Sequence, residues 1–416
     1  MYHTIIVGGG VSGLMAAHAA SETGNRVLLI EKNKSLGKKL LISGGGRCNV
    51  TNRLPYEEII SHIPGNGKFL YGPFSTFDNE SIIHFVESRG VSLKEEDHGR
   101  MFPVTDKAQD ILDVFLASLE KNNVEVRTET IVKEIMVEGP QVTGVRLEGN
   151  TVLEAENIII TTGGKSVPQT GSTGDGHRFA ASAGHTITEL FPTEVPITSA
   201  EPFIKEDRLK GLSLSDVALS VLKKNGKPRV THRMDMIFTH FGISGPAALR
   251  CSQFVHKEKK SQKKDRILMS LDFFPDKSTG QMRAMIEETI AGNRDRSLKN
   301  TLKTLLQERL VLFLLDFLEI DGSANGHHVS RENIDKVAAF LKGFRFNVDG
   351  TQSIEKAFVT GGGVSLKEVT PQTMESRRTK GLYFAGEVLD IHGYTGGYNI
   401  TSALVTGYVA GHSTTI

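Results

Sequence analysis

The chain has 416 residues, too many for one ordinary hydrophobic core, so two or three domains are expected. A formal net charge of +1 with 38% hydrophobic residues excludes a disordered or strongly polyionic protein. Its two cysteines, Cys48 and Cys251, lie far apart with no CxxC, which fits a reducing cytosol and gives no support to a disulfide framework or a thiolate metal site; no apolar run is long enough to span a membrane, and a cytoplasmic protein is expected.

Thr4 to Val7 is a β-branched run ending at glycine and predicts a buried strand. Gly8-x-Gly10-x-x-Gly13 follows and opens an alanine-rich helix that Gly24 ends. In such a turn the first glycine permits the bend, the second lets a pyrophosphate approach the backbone, and the third lets helix and strand pack closely. Arg26 to Ile30 is a second apolar strand, and Glu31 at its end stands 18 residues past Gly13, where a carboxylate can accept hydrogen bonds from an adenosine ribose. Strand, turn, helix, strand and acid in that order predict a dinucleotide-binding unit.

Gly44, Gly45 and Gly46, followed by Arg47, Cys48 and Asn49, predict a loop whose backbone passes close to a ligand. Helical patterns and Gly/Pro turns fill Pro55 to Arg100, and Asp106 to Asn122 carries Ile111, Leu112, Phe115 and Leu119 at helical spacing. Val124–Arg127, Ile131–Val137, Val142–Leu147 and Thr151–Leu153 predict a small antiparallel meander, and Ile158–Ile160 a buried strand entering Thr161-Thr162-Gly163-Gly164. Gly174-Asp175-Gly176 predicts a helix start with Asp175 as its cap.

From Phe191 the pattern changes to a small β module. Between Lys205 and Asp265 there are 14 Lys/Arg against 6 Asp/Glu, a local excess of 8 that suits either a solvated face or contact with a polyanionic partner. His256 to Lys264 reads as a linker, Thr279 to Phe340 as an inserted helical unit, and Gly343 to Val348 as a return to strand. The domains expected are 1–190 and 357–416 for a discontinuous nucleotide-binding domain, 191–255 and 342–356 for the β module, and 256–341 for the helical insert. The discontinuity rests on the C-terminal stretch. Gly381 to Glu387 is a buried strand ending in a Gly–acid pair, and Gly396-Gly397-Tyr398-Asn399 opens a last helix whose N-terminus can face the growing charge of a reduced flavin.

The motifs GGGVSGL, SGGGRCNVTN (43–52), TTGG, FTHFGISGPAAL (238–249), VTGGGV (359–364) and GLYFAGEVLDIHGYTGGYNITSAL together resemble the BaiN/RdsA (YhiN-like) family of NAD(P)/FAD-dependent oxidoreductases. The resemblance covers essentially the whole chain. It implies an α/β fold: a glutathione-reductase-type, Rossmann-like FAD-binding domain with an inserted small β-barrel and a helical insert. It implies FAD contacts at Gly8, Gly10, Val11, Ser12, Gly13, Glu31, Lys32, Lys39, Ser43, Gly44, Gly45, Gly46, Arg47, Cys48, Asn49, Ile131, Thr162, Gly163, Gly164, Gly386, Glu387, Gly397, Tyr398 and Asn399. It also implies reduction of a carbon–carbon double bond, in a uridine of large-subunit rRNA or in a steroid enone, while a similar protein is an aminoacetone oxidase.

The chemistry expected is hydride transfer from NAD(P)H, as a transient donor, through the flavin to an activated C=C, with a side chain supplying the proton. His392 and Tyr394, flanking the flavin-facing turn, are the first choices as donor, with His240 and Cys48 behind them; Cys48 matters only if its pKa is lowered. No second complete GxGxxG is present, so NAD(P)H is expected to visit the substrate cleft. Two other readings are an amine oxidase releasing hydrogen peroxide and an RNA-binding or assembly protein with structural FAD. Phe241, Phe344 and Phe346 are candidates for stacking on an RNA base.

Overall fold

The computed structural model describes residues 1–415, the His327 side chain excepted. The chain divides into two compact units, one formed by Met1–Pro192 with Ile354–Ile416 and the other by Thr193–Ser353.

The first unit is built on a sheet whose centre is parallel. Strand Tyr2–Val7 lies between Val27–Ile30 and Val152–Ile160, while Glu125–Arg127 pairs with the former and Leu382–Phe384 with the latter. Ile5, Ile6, Leu28, Leu29, Ile158 and Ile159 are fully buried, the continuous apolar run that a sheet covered on both faces requires. The register sets Val7 opposite both Ile30 and Ile160, and Phe384 opposite Ile160. Four strands therefore end at one level, and the turns that follow them gather at a single edge. Glu125–Arg127 thus belongs to the parallel sheet rather than to the expected meander, which is formed by Val132–Glu138, Gln141–Leu147 and the first half of Val152–Ile160.

Helix Val11–Ser21 is buried from Ser12 to Ser21, so nearly every position is small or apolar rather than one face only. The last helix, Tyr398–Ser413, lies against it so closely that a Cβ on Gly407 would meet the backbone of Ser12 and one on Gly411 the backbone of Ala16. This GxxxG contact binds the two ends of the chain into one body. A methyl at either glycine would force the helices apart, at about 1–3 kcal/mol.

The second unit carries a seven-stranded antiparallel sheet in the order 344–348, 267–272, 213–222, 228–239, 242–244, 197–198 and 350–351. Its edge strands, Phe344–Val348 and Gly350–Thr351, are separated in the chain by Asp349 alone, so the sheet curls until its two edges meet. Strand Ile267–Asp272 sits inside the stretch expected to be purely helical, because its alternating Ile267, Met269 and Leu271 are buried in this sheet's core. The expected linker His256–Lys264 is instead mostly the end of helix Pro246–Gln262. Phe344 and Phe346 are each 2% exposed within a core that also holds Phe203, Phe238 and Phe313, which removes them as base-stacking candidates. Phe241 lies edge-on to His240 at the tip of a hairpin.

Candidate active site

All of the glycine turns implied above belong to the first unit. At the end of the first strand, a Cβ on Gly8 would stand 2.7 Å from the Thr161 carbonyl oxygen, and one on Gly13 would fall on the Gly8 carbonyl oxygen. These two glycines let helix Val11–Ser21 rest directly on the strands. Gly10 differs from both, since a Cβ there would meet nothing within 4 Å. It is the helix N-cap, at φ −77°, and no side chain caps the helix there. Uncapped N–H groups at the end of a helix dipole, beside an open glycine, are an arrangement that can hold an anion.

Glu31 is buried and its carboxylate faces this turn. Oε2 accepts from the Gly9 N–H at 2.8 Å, and Oε1 accepts from the N–H and side-chain amide of Asn33 at 2.8 and 2.6 Å. A carboxylate offers about four lone-pair positions, so Oε2 retains capacity for one further donor such as a ribose hydroxyl. Lys32 does not reach toward the turn: its Nζ donates to Asp175 at 2.6 Å and to Thr173 at 2.5 Å. Asp175 is accordingly an ion-pair partner, and the N-cap of helix Asp175–Ser182 is Gly174, with no side-chain cap.

In the second loop Gly44, Gly45 and Gly46 all have positive φ, at 56°, 70° and 88°, a run that non-glycine residues resist. Nothing lies within 4 Å of a Cβ on Gly45. Ser43 closes the start of this loop through Oγ to the Leu40 carbonyl, at 2.7 Å, and accepts the Cys48 N–H at 3.1 Å. Arg47 is turned away, donating to Glu96 at 2.8 Å and stacking 4.1 Å over the Phe102 ring. Cys48 is fully buried at φ 59°, and burial pushes its thiol up to about 12. It is a neutral thiol near neutral pH and not an activated nucleophile or proton source.

Asn49 joins this loop to the last helix. With its amide oriented to donate to the Thr51 and Met101 carbonyls, at 2.9 and 3.2 Å, its oxygen accepts the Gly397 N–H at 2.9 Å. Gly397, at φ 91°, is the N-cap of helix Tyr398–Ser413, and a Cβ there would stand 2.8 Å from the Thr51 carbonyl oxygen. Asn399 folds back, accepting the Gly393 N–H at 2.8 Å and donating to the carbonyls of Gly393 and Tyr394 at 2.9 and 3.1 Å. Tyr398 stacks on His62 at 4.7 Å.

The other implied positions sort by what surrounds them. Gly386, at φ 77°, packs on Ser12, whose Oγ a Cβ would meet at 2.5 Å. Gly163 approaches Ser172, and Gly164 approaches Thr360 and Glu387. Thr162 Oγ1 is buried without a hydrogen-bond partner, an unsatisfied group at the edge where the four strands end. Val11 begins the first helix. Ile131 is 43% exposed, and its carbonyl accepts the Glu148 N–H at 2.8 Å.

Glu387 anchors a polar knot. Its oxygens accept from Lys39 Nζ at 2.7 Å, Ser166 Oγ at 3.0 Å and the Thr360 N–H at 2.7 Å, and Thr360 Oγ1 in turn accepts the Lys165 and Ser166 N–H groups. Burial would raise this carboxyl, yet the Lys39 ammonium and these donors hold it below its ordinary value. Sequence reading missed Ser166 and Thr360, since nothing in their spacing announces a partner more than 190 residues away in the chain.

His392 and Tyr394 are 3% and 7% exposed. Gly65 exchanges both backbone hydrogen bonds with His392, at 2.9 and 3.2 Å, and has no Cβ because that atom would occupy the His392 ring. Phe191 stands edge-on to the same imidazole at 5.4 Å. The Tyr394 N–H donates to the His62 carbonyl at 3.0 Å, and its ring lies edge-on to His62. His240 belongs to the second unit and is exposed.

The residues present fit FAD. An open glycine at an uncapped helix end, a buried acid with acceptor capacity, three left-handed glycines and an unsatisfied Thr162 hydroxyl are the features a dinucleotide uses. Among the described residues no acidic, His or Cys cluster could hold a metal ion, and no helix is long and apolar enough to cross a membrane.

Comparison with known proteins agrees. The model of the HI0933-like protein Rossmann domain matches residues 2–413. The ribosomal RNA dihydrouridine synthase of Escherichia coli (strain K12) is 32% identical over 401 residues, 96% of this chain and 94% of that protein. The 3-dehydro-bile acid delta(4,6)-reductase of Clostridium scindens is 28% identical over 411 residues, 98% of each. In fold, the chain is similar to 3-ketosteroid delta1-dehydrogenase from Sterolibacterium denitrificans, with a TM-score of 0.50 at 13% identity and coverage of 100% of this chain and 99% of that one. The chain belongs to the HI0933-like Rossmann family and is an FAD-dependent oxidoreductase.

Proposed function

We propose that this protein reduces the C5=C6 bond of a uridine in large-subunit ribosomal RNA to dihydrouridine, in the cytoplasm, with NAD(P)H as hydride source. The observation that carries this reading is the near-full-length similarity to a ribosomal RNA dihydrouridine synthase. Bound FAD would supply hydride-transfer chemistry between the nicotinamide and the carbon β to the uracil carbonyl. Gly10 and the start of helix Val11–Ser21 would hold the pyrophosphate, Glu31 the adenosine ribose, and the Gly44–Asn49 backbone would run beside the ligand. The N-terminus of helix Tyr398–Ser413 favours the negative charge that reduction builds. Hydride addition leaves the α carbon needing a proton, and His392 and Tyr394 are the residues assigned to deliver it. Pairing with Gly65 and the Asn399 hydrogen bonds fix the segment that carries them. NAD(P)H uses the same cleft before the substrate enters, and the basic 205–265 stretch contacts the RNA.

The test is nucleoside mass spectrometry of large-subunit rRNA from cells lacking the gene, treated with purified protein and NADPH or NADH. Dihydrouridine should appear with the wild-type protein and fall at least tenfold with His392→Ala combined with Tyr394→Phe, while NAD(P)H still bleaches the flavin. Unmodified rRNA after treatment refutes the reading. Rapid reduction of a 3-keto steroid enone would then favour small enones, a second reading supported by the similarity to the bile acid reductase over 98% of both chains. Stoichiometric peroxide from an amine would favour an oxidase.

A further inference from the structure

The excess of cations in 205–265 is uneven once its partners are known. Arg208 is paired with Asp316, Lys210 with Asp207, and Arg233 with both Asp216 and Asp276. These are internal ion pairs with little charge to offer. A second set differs. Strands Ser213–Leu222 and Pro228–Thr239 are joined by a tight turn, closed by Lys223 N–H to the Lys227 carbonyl at 2.9 Å and by Gly226 at φ 77°. The turn holds Lys223, Lys224 and Lys227, all exposed. Helix Pro246–Gln262 ends beside it: Gln262 Nε2 donates to the Leu222 carbonyl at 3.1 Å, and Lys263 at φ 51° ends the helix. Lys263, Lys264 and Arg266 follow, also exposed, and the register pairing Val221 with Met269 brings Arg266 to the same end of the sheet as the turn. Among the described residues none of these six cations is in an ion pair. Asp265 is the one acid within 223–229 and 263–266.

Lysines after a helix C-terminus complement its dipole, which accounts for Lys263 and Lys264 as ordinary stabilising residues. It does not account for three lysines on a hairpin turn, where mutual repulsion works against folding. The turn is closed by its own hydrogen bond, and the helix end that leads into the second segment is tied to the first strand by Gln262. We infer that the Lys223–Lys227 turn and the Lys263–Arg266 segment form a two-sided crest that docks the phosphate backbone of structured RNA. The inference rests on the RNA-reductase reading and adds where and how that substrate is held. Such a crest contributes charge and position without base recognition, so it supplies affinity while another part of the protein selects the uridine.

The experiment measures binding of an in vitro transcript of a large-subunit rRNA hairpin over a range of salt concentrations. The holoenzyme is compared with two triple variants, Lys223→Gln/Lys224→Gln/Lys227→Gln and Lys263→Gln/Lys264→Gln/Arg266→Gln. Each triple should weaken binding at least tenfold and reduce the slope of log affinity against log salt by about 3. Flavin reduction by NAD(P)H should not change, and the melting temperature should move by only a few degrees, upward for the turn triple, which relieves repulsion, and downward for the helix-end triple, which removes charges that complement the dipole. Unchanged slopes in both triples, with wild type still binding, overturn the crest alone. A wild-type protein that binds through the crest but forms no dihydrouridine leaves the crest standing and overturns the reductase reading. Binding of phosphatidylglycerol vesicles in place of the transcript overturns the RNA crest.

Discussion

The two strand-to-helix turns that frame the first unit look alike in sequence and differ in structure. At Gly8–Gly13 the protein leaves groups free: an open Gly10, uncapped N–H groups and acceptor capacity on Glu31. At Gly386–Asn399 its polar side chains are engaged with the protein itself, Glu387 with Lys39, Ser166 and Thr360, and Asn399 with Gly393 and Tyr394. The first turn offers open backbone groups that suit a ligand. The second is a brace that fixes the position of a helix end and of the segment carrying His392 and Tyr394.

The largest effect expected from breaking this contrast is at Gly13. In Gly13→Ala the new methyl falls on the Gly8 carbonyl oxygen, so helix and strand must separate along the parallel sheet's central strand. The variant should lose about 3 kcal/mol or more of stability and its bound flavin together. Thermal denaturation with the flavin-to-protein absorbance ratio checks both, and a yellow protein of unchanged melting temperature would contradict the packing.

Glu387→Gln should separate stability from binding. Removing one partner of a half-buried pair deprives Lys39 of its countercharge, and because the Lys39 side chain keeps 30% of its exposure the loss should be about 2 kcal/mol. The pH dependence has a definite sign. The folded-state pKa lies below the ordinary 4.5, so the carboxylate's contribution is complete above that value and is lost as pH falls through the folded pKa. The gap between wild type and variant should therefore be constant near neutrality and shrink below about pH 4.5. Denaturant titrations across that range decide it; a gap that widens in acid would mean the carboxylate is not stabilised by its partners.

The same contrast explains what was legible in advance. Gly8 and the triple glycine are visible because their positive φ favours glycine, Gly13 because helix and strand meet where it has no Cβ, and Gly10 and Glu31 because they hold fixed places in the strand–turn–helix–strand order. Arg47, Lys32 and Asn399 are polar residues beside a predicted site, and sequence says nothing of whether such a side chain faces the ligand or a partner elsewhere in the chain. Glu96, Asp175 and Gly393, which claim them, lie 49, 143 and 6 residues away. Strand Ile267–Asp272 was hidden similarly, as one alternating hexamer between helical patterns, while its neighbours in the sheet lie about 50 and 80 residues away. Burial of Phe344 and Phe346 follows from that strand, and so could not be read without it.

The smallest change sharpens the comparison most. Gly10 has φ −77°, which any residue adopts, and open space where its Cβ would be, so Gly10→Ala should leave the apoprotein's melting temperature within about 1 °C of wild type. The added methyl lies where a pyrophosphate would approach the helix end, so flavin affinity should fall at least tenfold, about 1.4 kcal/mol. Equilibrium titration of apoprotein with FAD, followed by flavin fluorescence, measures it. Equal affinity in wild type and variant would show that the phosphates approach a different part of the edge. Lost affinity with an unchanged fold would show that Gly10 serves the ligand alone, whereas Gly13, three residues along the same motif, serves the fold first and the ligand only through it.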